Sequence, residues 1–346
     1  MEFQFVLGVD ISKAFFNYCV MNKKFEIICE GEIENKVDSI YTFISELLEH
    51  FQISNIEQIV LIMEHTGIYV QNLSKCWLSK QGKLCIVPAN KISEHLGGKL
   101  KWSEKTDQLD ARRISEYGWR YSDQLSPWQA RSENLELLRA LHTQRRRLND
   151  VINILCVPSN ESAEFDTVLI SQSIAGNQAA SLQALKNDLQ KVEQQLIDLI
   201  NEDPTLSNLY KLITSICGVG PATAREVIIA TEAFDKFKPD QAKAFARYAG
   251  VVPLKKQSGK VRRKARTSKK ASKKIKTVLT MGATALIGSF SDLGHFYERK
   301  IQQGKPHFCV INAMRNKLIL RIFAVVRNQV MYDKNLNLNN ISLDLP

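Results

Sequence analysis

Residues 3–10 read FQFVLGVD and residues 15–21 read FFNYCVM. Both are apolar runs of strand length, and only a short turn around Ile11-Ser12-Lys13 separates them. A third run covers about 25–33. Connections this short join antiparallel neighbours, so the chain opens with a three-stranded meander. A side-chain period of two puts Val6, Gly8 and Asp10 on one face of the first strand. Asp10 then stands at that strand's end.

Downstream the pattern changes to helix–strand alternation. Asp38 is placed to cap a helix carrying Ile40, Phe43, Ile44, Leu47 and Leu48 at helical spacing. Gln58–Met63 reads as a central strand, followed by Glu64-His65-Thr66-Gly67-Ile68-Tyr69. A helix is expected over 69–81 with Val70, Leu73, Trp77 and Leu78 on one face, and a strand over 83–87 stopped by Pro88. A short helix at 91–97 should break at Gly97-Gly98. The order is that of an α/β domain with a mixed sheet.

Then comes Lys105-Thr106-Asp107-Gln108-Leu109-Asp110-Ala111-Arg112, in a helix expected to run to about Tyr117. Carboxylates three residues apart share a helix face and repel unless a cation neutralises them. Lys105, Arg112 and Arg113 could do so in an ordinary salt-bridged turn. Asp10 and Glu64 taken singly are ordinary strand-end and helix-start acids. Together, Asp10, Glu64, Asp107 and Asp110 form an oxygen-rich set suited to Mg²⁺ or Mn²⁺. Two such ions ~4 Å apart can clamp the attacking and leaving oxygens of a phosphodiester.

Charge points to a polyanionic partner. The chain of 346 residues has a net charge of +11. No Asp or Glu occurs from Gln241 to Ser291, and twelve Lys and Arg fall between Lys255 and Lys276. The candidates for nucleic-acid contact are Lys255, Lys256, Lys260, Arg262, Arg263, Lys264, Arg266, Lys269 and Lys270. Arg145, Arg146 and Arg147 form a second basic cluster, either a solvated helix face or a further contact. No apolar run reaches membrane-spanning length, and the N-terminus lacks the features of a signal peptide. Seven scattered cysteines without a CxxC pair fit reduced thiols in a cytoplasmic protein.

Ser126-Pro127-Trp128 is expected to end the first domain, 1–122. In 123–205, Leu141, Leu148 and Leu155 recur every seven residues. After a Ser/Asn-rich gap at 158–163, Leu182, Leu185, Leu189, Val192, Leu196 and Leu199 alternate by three and four. That seam serves either a helical hairpin within the chain or a coiled coil between chains. In 206–333, Leu212–Thr223 reads as helix, glycine turn, helix. The turn is either a plain corner or a place where amides approach a phosphate. Gln257-Ser258-Gly259-Lys260 lies in a basic loop, Ser268 is positioned to cap a helix over 269–283, and a helix over 308–330 closes the block. Residues 334–346 read as a tail.

GVDISK, EHTGIY and KTDQLDAR, in that order, resemble the DEDD transposases of the insertion-sequence-110 type, relatives of the Piv DNA invertases. Phe245–Pro253, QSGK and TSKK resemble blocks of the family's C-terminal domain, although Ala271 stands where the family often has glycine. The resemblance implies a RuvC-like, ribonuclease-H-type α/β domain, a coiled-coil linker, and a mainly α-helical transposase domain with a helix-hairpin-helix-like segment. It implies Asp10, Glu64, Asp107 and Asp110 as catalytic metal ligands and Ser258 as nucleophile. It also implies donor and target DNA, a structured non-coding bridge RNA, and self-association as dimer or tetramer in a nucleoid-associated bacterial protein. Two other readings stay open: a RuvC-like junction nuclease with no covalent intermediate, and a non-catalytic RNA- or DNA-binding descendant.

Overall fold

The meander forms as β1 (Phe5–Ile11), β2 (Phe15–Asn22) and β3 (Ile27–Glu34), paired antiparallel. In this computed structural model the described residues are 3–51, 56–96, 106–128, 131–258, 261–267 and 271–333. β4 (Ile59–Glu64) pairs in parallel with β1, and β5 (Lys83–Val87) in parallel with β4. The strand order β3-β2-β1-β4-β5 puts β1 at the centre of a mixed sheet. Leu7, Val9, Ile59, Leu61 and Met63 are buried with α1 (Val37–His50) and α2 (Gln71–Ser79), whose Phe43, Leu73 and Trp77 fill one core. Val6, Val60 and Ile62 point the other way, to α3 (Ala89–Leu96) and α4 (Asp107–Arg120). The result is three layers, with helices on both faces of the sheet.

Several boundaries move for local reasons. Lys36, not Asp38, is the N-cap of α1, and Asp38 falls in the first turn. An acid there still interacts favourably with the helix dipole. A 3₁₀ turn, Gly67–Val70, precedes α2. α4 continues to Arg120 because Tyr117 and Gly118 are still buried against the sheet. Trp128, expected beyond the domain's end, packs on the first core, and its backbone N–H donates to the Leu84 carbonyl at 2.7 Å. The chain accordingly divides into compact units at Met1–Ala130 and Arg131–Pro346.

The second unit is built on α5 (Glu133–Phe165) and α6 (Val168–Glu202), which turn back on one another. The gap expected at 158–163 is helical: α5 runs through Pro158. At the end away from the turn that joins them, Leu138, Leu141, Val192, Leu196 and Leu199 join the core of the helices that follow. Those are α7 (Pro204–Thr214), α8 (Pro221–Thr231), α9 (Ala242–Tyr248), α10 (Lys273–Thr284), α11 (Asp292–Gln302) and α12 (His307–Asn328). The basic stretch read as a loop contains a two-stranded antiparallel hairpin, β6 (Leu254–Ser258) and β7 (Val261–Arg266). α10 begins at Lys273 with Ser272 as its N-cap residue, later than the start expected at 269. Ser268 and the tail 334–346 lie outside the described residues. Among the described residues no helix is long and apolar enough to cross a membrane, and the seven cysteines are free thiols. Burial pushes the Cys19, Cys29 and Cys85 thiols up to about 11, which keeps them protonated and unreactive.

Candidate active site

β1 and β4 set the first two acids side by side. Their parallel register runs from Phe5 opposite Ile59 to Val9 opposite Met63. Asp10 and Glu64 occupy the next position on the two strands, both half-buried. Each continues the face of its strand that bears Val6 or Ile62, the face covered by α4.

α4 lies against β1 through small residues. A side-chain carbon on Gly8 would stand 2.4 Å from the Ser115 amide nitrogen and 2.6 Å from the Ala111 carbonyl oxygen. One on Gly118 would meet Ile62 and Val6. The Gly8 N–H donates to Ser115 Oγ at 2.9 Å, and that hydroxyl donates to the Cys19 carbonyl at 2.7 Å. Gly118 lies by Val6 while Ala111 and Ser115 lie by Gly8, so α4 runs antiparallel to β1. Its first turn, with Asp107 and Asp110, therefore points toward the Asp10 end of the strand. Thr106 caps that turn, its Oγ1 accepting the Leu109 N–H at 3.3 Å. The helix dipole favours acids there. Arg112 forks onto Glu30 of β3, with Nε donating to Oε2 at 2.6 Å and Nη2 donating to Oε1. This guanidinium hydrogen bond lowers the Glu30 pKa from its ordinary value.

Gly8→Ala is expected to lower stability by about 1–3 kcal/mol, since backbone atoms of α4 must move to admit one methyl group. Chemical denaturation measures it. Loss of cleavage should accompany the displacement of α4.

Asp107 is exposed and Asp110 half-buried, with Arg113 Nη1 donating to Asp110 Oδ1 at 2.7 Å. Among the described residues no group of three or more His, Cys, Asp and Glu side chains is gathered to hold a metal ion. The four acids share one end of the sheet and one donor chemistry, without a converged coordination sphere. The Thr66 hydroxyl, two residues past Glu64, is buried with no hydrogen-bond partner, a polar atom left over at this end. All-carboxylate donors match hard divalent cations, so the residues present fit Mg²⁺ or Mn²⁺ in kind.

Ser258 ends β6 and stands opposite Val261 in the hairpin register. Lys256 pairs with Arg263 and Gln257 with Arg262 along the same ladder, so the strands themselves carry the basic run with Lys255, Lys264 and Arg266. Lys260, Lys269 and Lys270 lie outside the described residues. The Arg145–Arg147 cluster is not a uniform solvated face. Arg145 Nε donates to Glu193 Oε1 of α6, whereas Arg147 is exposed. Two buried polar groups escaped the sequence reading. His142 Nε2 lies 3.0 Å from Glu226 Oε2, and Arg225, 2 % exposed, pairs with Glu193 at 3.1 Å. Their signal is faint: isolated charged residues within helices whose buried face the spacing alone does not fix.

A model described as "Transposase", the DEDD type of IS110, matches residues 7–153, and one described as "Transposase IS116/IS110/IS902 family" matches residues 210–298. The chain belongs to the IS110 family of transposases. The pilin gene-inverting proteins of Moraxella bovis and Moraxella lacunata are each 26% identical over 334 residues, which is 96% of this chain and 98% of theirs. A probable family 20 transposase of Pseudomonas aeruginosa is 23% identical over 66% of this chain and 74% of its own. Among solved structures, RuvC of T. thermophilus with a Holliday junction substrate aligns over 36% of this chain and 99% of its own, at 10% identity and TM-score 0.30. IS110-family membership makes the chain an enzyme acting on DNA. The mixed sheet of the first unit and the helical second unit fit a ribonuclease-H-type domain followed by a helical C-terminal domain.

Proposed function

We propose that this IS110-family transposase cuts and rejoins DNA strands through a covalent serine intermediate. The observation that carries the reading is the placement of Asp10 and Glu64 on adjacent parallel strands, beneath a helix whose acid-bearing first turn points to the same end. Asp10, Glu64, Asp107 and Asp110 would hold Mg²⁺ or Mn²⁺, and a bound ion supplies Lewis acidity and neutralises charge building up on a phosphodiester. Ser258 Oγ attacks phosphorus, a new serine–phosphate ester forms, and the bond to the leaving deoxyribose oxygen breaks. The serine proton passes to a base and the leaving oxygen takes one up. The ester conserves the bond energy, so the strand is rejoined without ATP.

Supporting this reading are the QSGK block at the end of β6 and the basic strands around it. A structured bridge RNA pairing with donor and target DNA, and a dimer or tetramer in which one protomer's acids meet another's serine, complete the proposal in the cytoplasm. The α5–α6 pair serves as the coiled-coil linker, and α7 and α8 as the helix-hairpin-helix-like segment. A gel-shift with and without Mg²⁺, followed by a search for a protein–DNA adduct after denaturation, tests it. Mg²⁺-dependent cutting with no adduct would instead favour a RuvC-like junction nuclease, and binding without cutting a non-catalytic descendant.

Nucleic-acid affinity should fall steeply with salt, because each phosphate contact releases counterions. Changing Arg262, Arg263, Lys264 and Arg266 together to Ala should flatten the log–log salt slope by about one unit per lost contact. An unaltered slope would place the binding face elsewhere.

A further inference from the structure

The ladder between β1 and β4 ends at the Val9–Met63 pair, one position short of Asp10 and Glu64. Twist turns neighbouring strands out of line, so the separation of the two acids depends on a tie beyond them as well. Asn35, between β3 and α1, supplies one. Its Nδ2 donates to the Ser12 carbonyl at 3.0 Å and to the Tyr69 carbonyl at 3.1 Å. Ser12 lies just past Asp10 in the turn from β1 to β2, and Tyr69 lies past Glu64 in the 3₁₀ turn before α2. The acids are thus bracketed, by the ladder on one side and by a single amide group on the other.

The backbone of Asn35 fastens to the same two places. Its N–H donates to the Ala14 carbonyl at 2.8 Å, and its carbonyl accepts from Asn72 Nδ2 of α2 at 3.2 Å. The residue is 8 % exposed. Two N–H groups on one planar nitrogen let one side chain serve two acceptors, where an ionised Asp offers no donor and Ser offers one. Asn35 Oδ1 is buried without a hydrogen-bond partner, which costs stability, so what asparagine brings to this position is its pair of donors. The turn after Glu64 has little packing of its own. Gly67, Ile68 and Tyr69 are exposed, and a side-chain carbon on Gly67 would meet nothing within 4 Å. Hydrogen bonds therefore carry much of the task of placing it.

We infer that Asn35 is a positioning residue for the acid site: by tying the turn after Asp10 to the turn after Glu64, it sets the spacing of the two carboxylates. This rests on the reading of Asp10 and Glu64 as ligands of a divalent cation. Asn35 touches neither ion nor substrate and acts through the two turns. Groups that orient the ligands of a metal without binding it change its affinity by about 10–100-fold when removed. A residue that served stability alone would leave that affinity where it was.

Asn35→Asp keeps the shape and removes both donors, setting a carboxylate against two carbonyl oxygens. Asn35→Ala removes the side-chain tie outright. Full-length protein free of nucleic acid is titrated with Mn²⁺, and the unbound ion is followed by electron paramagnetic resonance. Both variants are expected to bind Mn²⁺ about tenfold more weakly than wild type. Plasmid nicking should need about tenfold more Mg²⁺ to reach half its maximal rate, and should recover when that Mg²⁺ is supplied. Asn72→Ala removes only the bond to the Asn35 carbonyl. It should shift both midpoints the same way by less, and it carries the test should the Asn35 variants fail to fold. Mn²⁺ affinity and Mg²⁺ midpoint at wild-type values in every variant that folds, whatever the melting temperature, would overturn the positioning role alone. Wild-type protein that binds no Mn²⁺, or Asp10→Asn protein that binds it as tightly as wild type, would overturn the metal-ligand reading as well.

Discussion

Asp10→Asn is expected to abolish strand cleavage, by a factor on the order of 10²–10³ or more, and to leave nucleic-acid binding nearly intact. The change is almost isosteric and removes only charge. Asp10 is the penultimate residue of the central strand, half-buried, one register position past the Val9–Met63 pair and level with Glu64. On the proposed mechanism a carboxylate there would help hold a divalent cation, whereas an amide is a poor ligand for one. If nucleic-acid affinity comes from the basic residues of the second unit, as proposed, a gel-shift should scarcely move. Asp107→Asn should behave alike, since its turn is directed to the same end of β1 by the Gly8 contacts. Nicking of a supercoiled plasmid carrying the element's ends, with Mg²⁺ present, is the measurement. Cleavage at the wild-type rate in both variants would remove the acids from the chemistry. Lost binding with a normal fold would mean that they contact nucleic acid instead.

The first unit was legible because its signals are local and agree with one another. FQFVLGVD and FFNYCVM are strand-like by composition, and the turn between them is too short for anything but antiparallel pairing. What the spacing did not disclose is how α4 reaches the sheet. Ala111, Ser115 and Gly118 are small residues at helical intervals, and Gly8 is the strand residue that receives them. That close approach directs Asp107 and Asp110 toward Asp10, yet each residue looks unremarkable alone. The pairing of Arg112 with Glu30 is hidden for the same reason, since 82 residues separate the partners.

In the second unit the local signals conflict with the tertiary ones. Pro158 and its Ser/Asn neighbours read as a break, but α5 continues through them alongside α6. A proline removes one helical hydrogen bond, a local loss that pairing of two long helices can outweigh. The strands β6 and β7 are equally unexpected, because Leu-Lys-Lys-Gln-Ser and Val-Arg-Arg-Lys-Ala-Arg lack the apolar alternation by which strands are recognised. Ladder hydrogen bonds form from the backbone, whatever the side chains are. The basic residues thus lie on a hairpin, and Ser258 belongs to its strand rather than to an irregular loop.

Ser258→Ala is expected to remove every covalent protein–DNA adduct and all recombination while the fold and nucleic-acid binding persist. A serine hydroxyl is a weak nucleophile until a base or metal assists it, and the stretch from Gln241 to Ser291 contains no carboxylate. On the proposed mechanism the assisting acids are Asp10, Glu64, Asp107 and Asp110, of the same chain or of a second copy. A cleavage reaction stopped with denaturant should leave wild-type protein attached to DNA, and the attached peptide should contain Ser258. Loss of one hydroxyl changes stability by only about 0.5 kcal/mol where it makes no buried bond, so unfolding curves should overlay. Mixing then decides which copy supplies which half. Ser258→Ala protein retains its acids, and Asp107→Asn protein retains its serine. If the site is shared between protomers, mixed oligomers recover part of the activity that neither variant has alone. If it closes within one chain, mixtures stay inactive even where mixed oligomers are shown to form. An adduct made by Ser258→Ala protein alone would eliminate this serine as the nucleophile, whichever copy holds the acids.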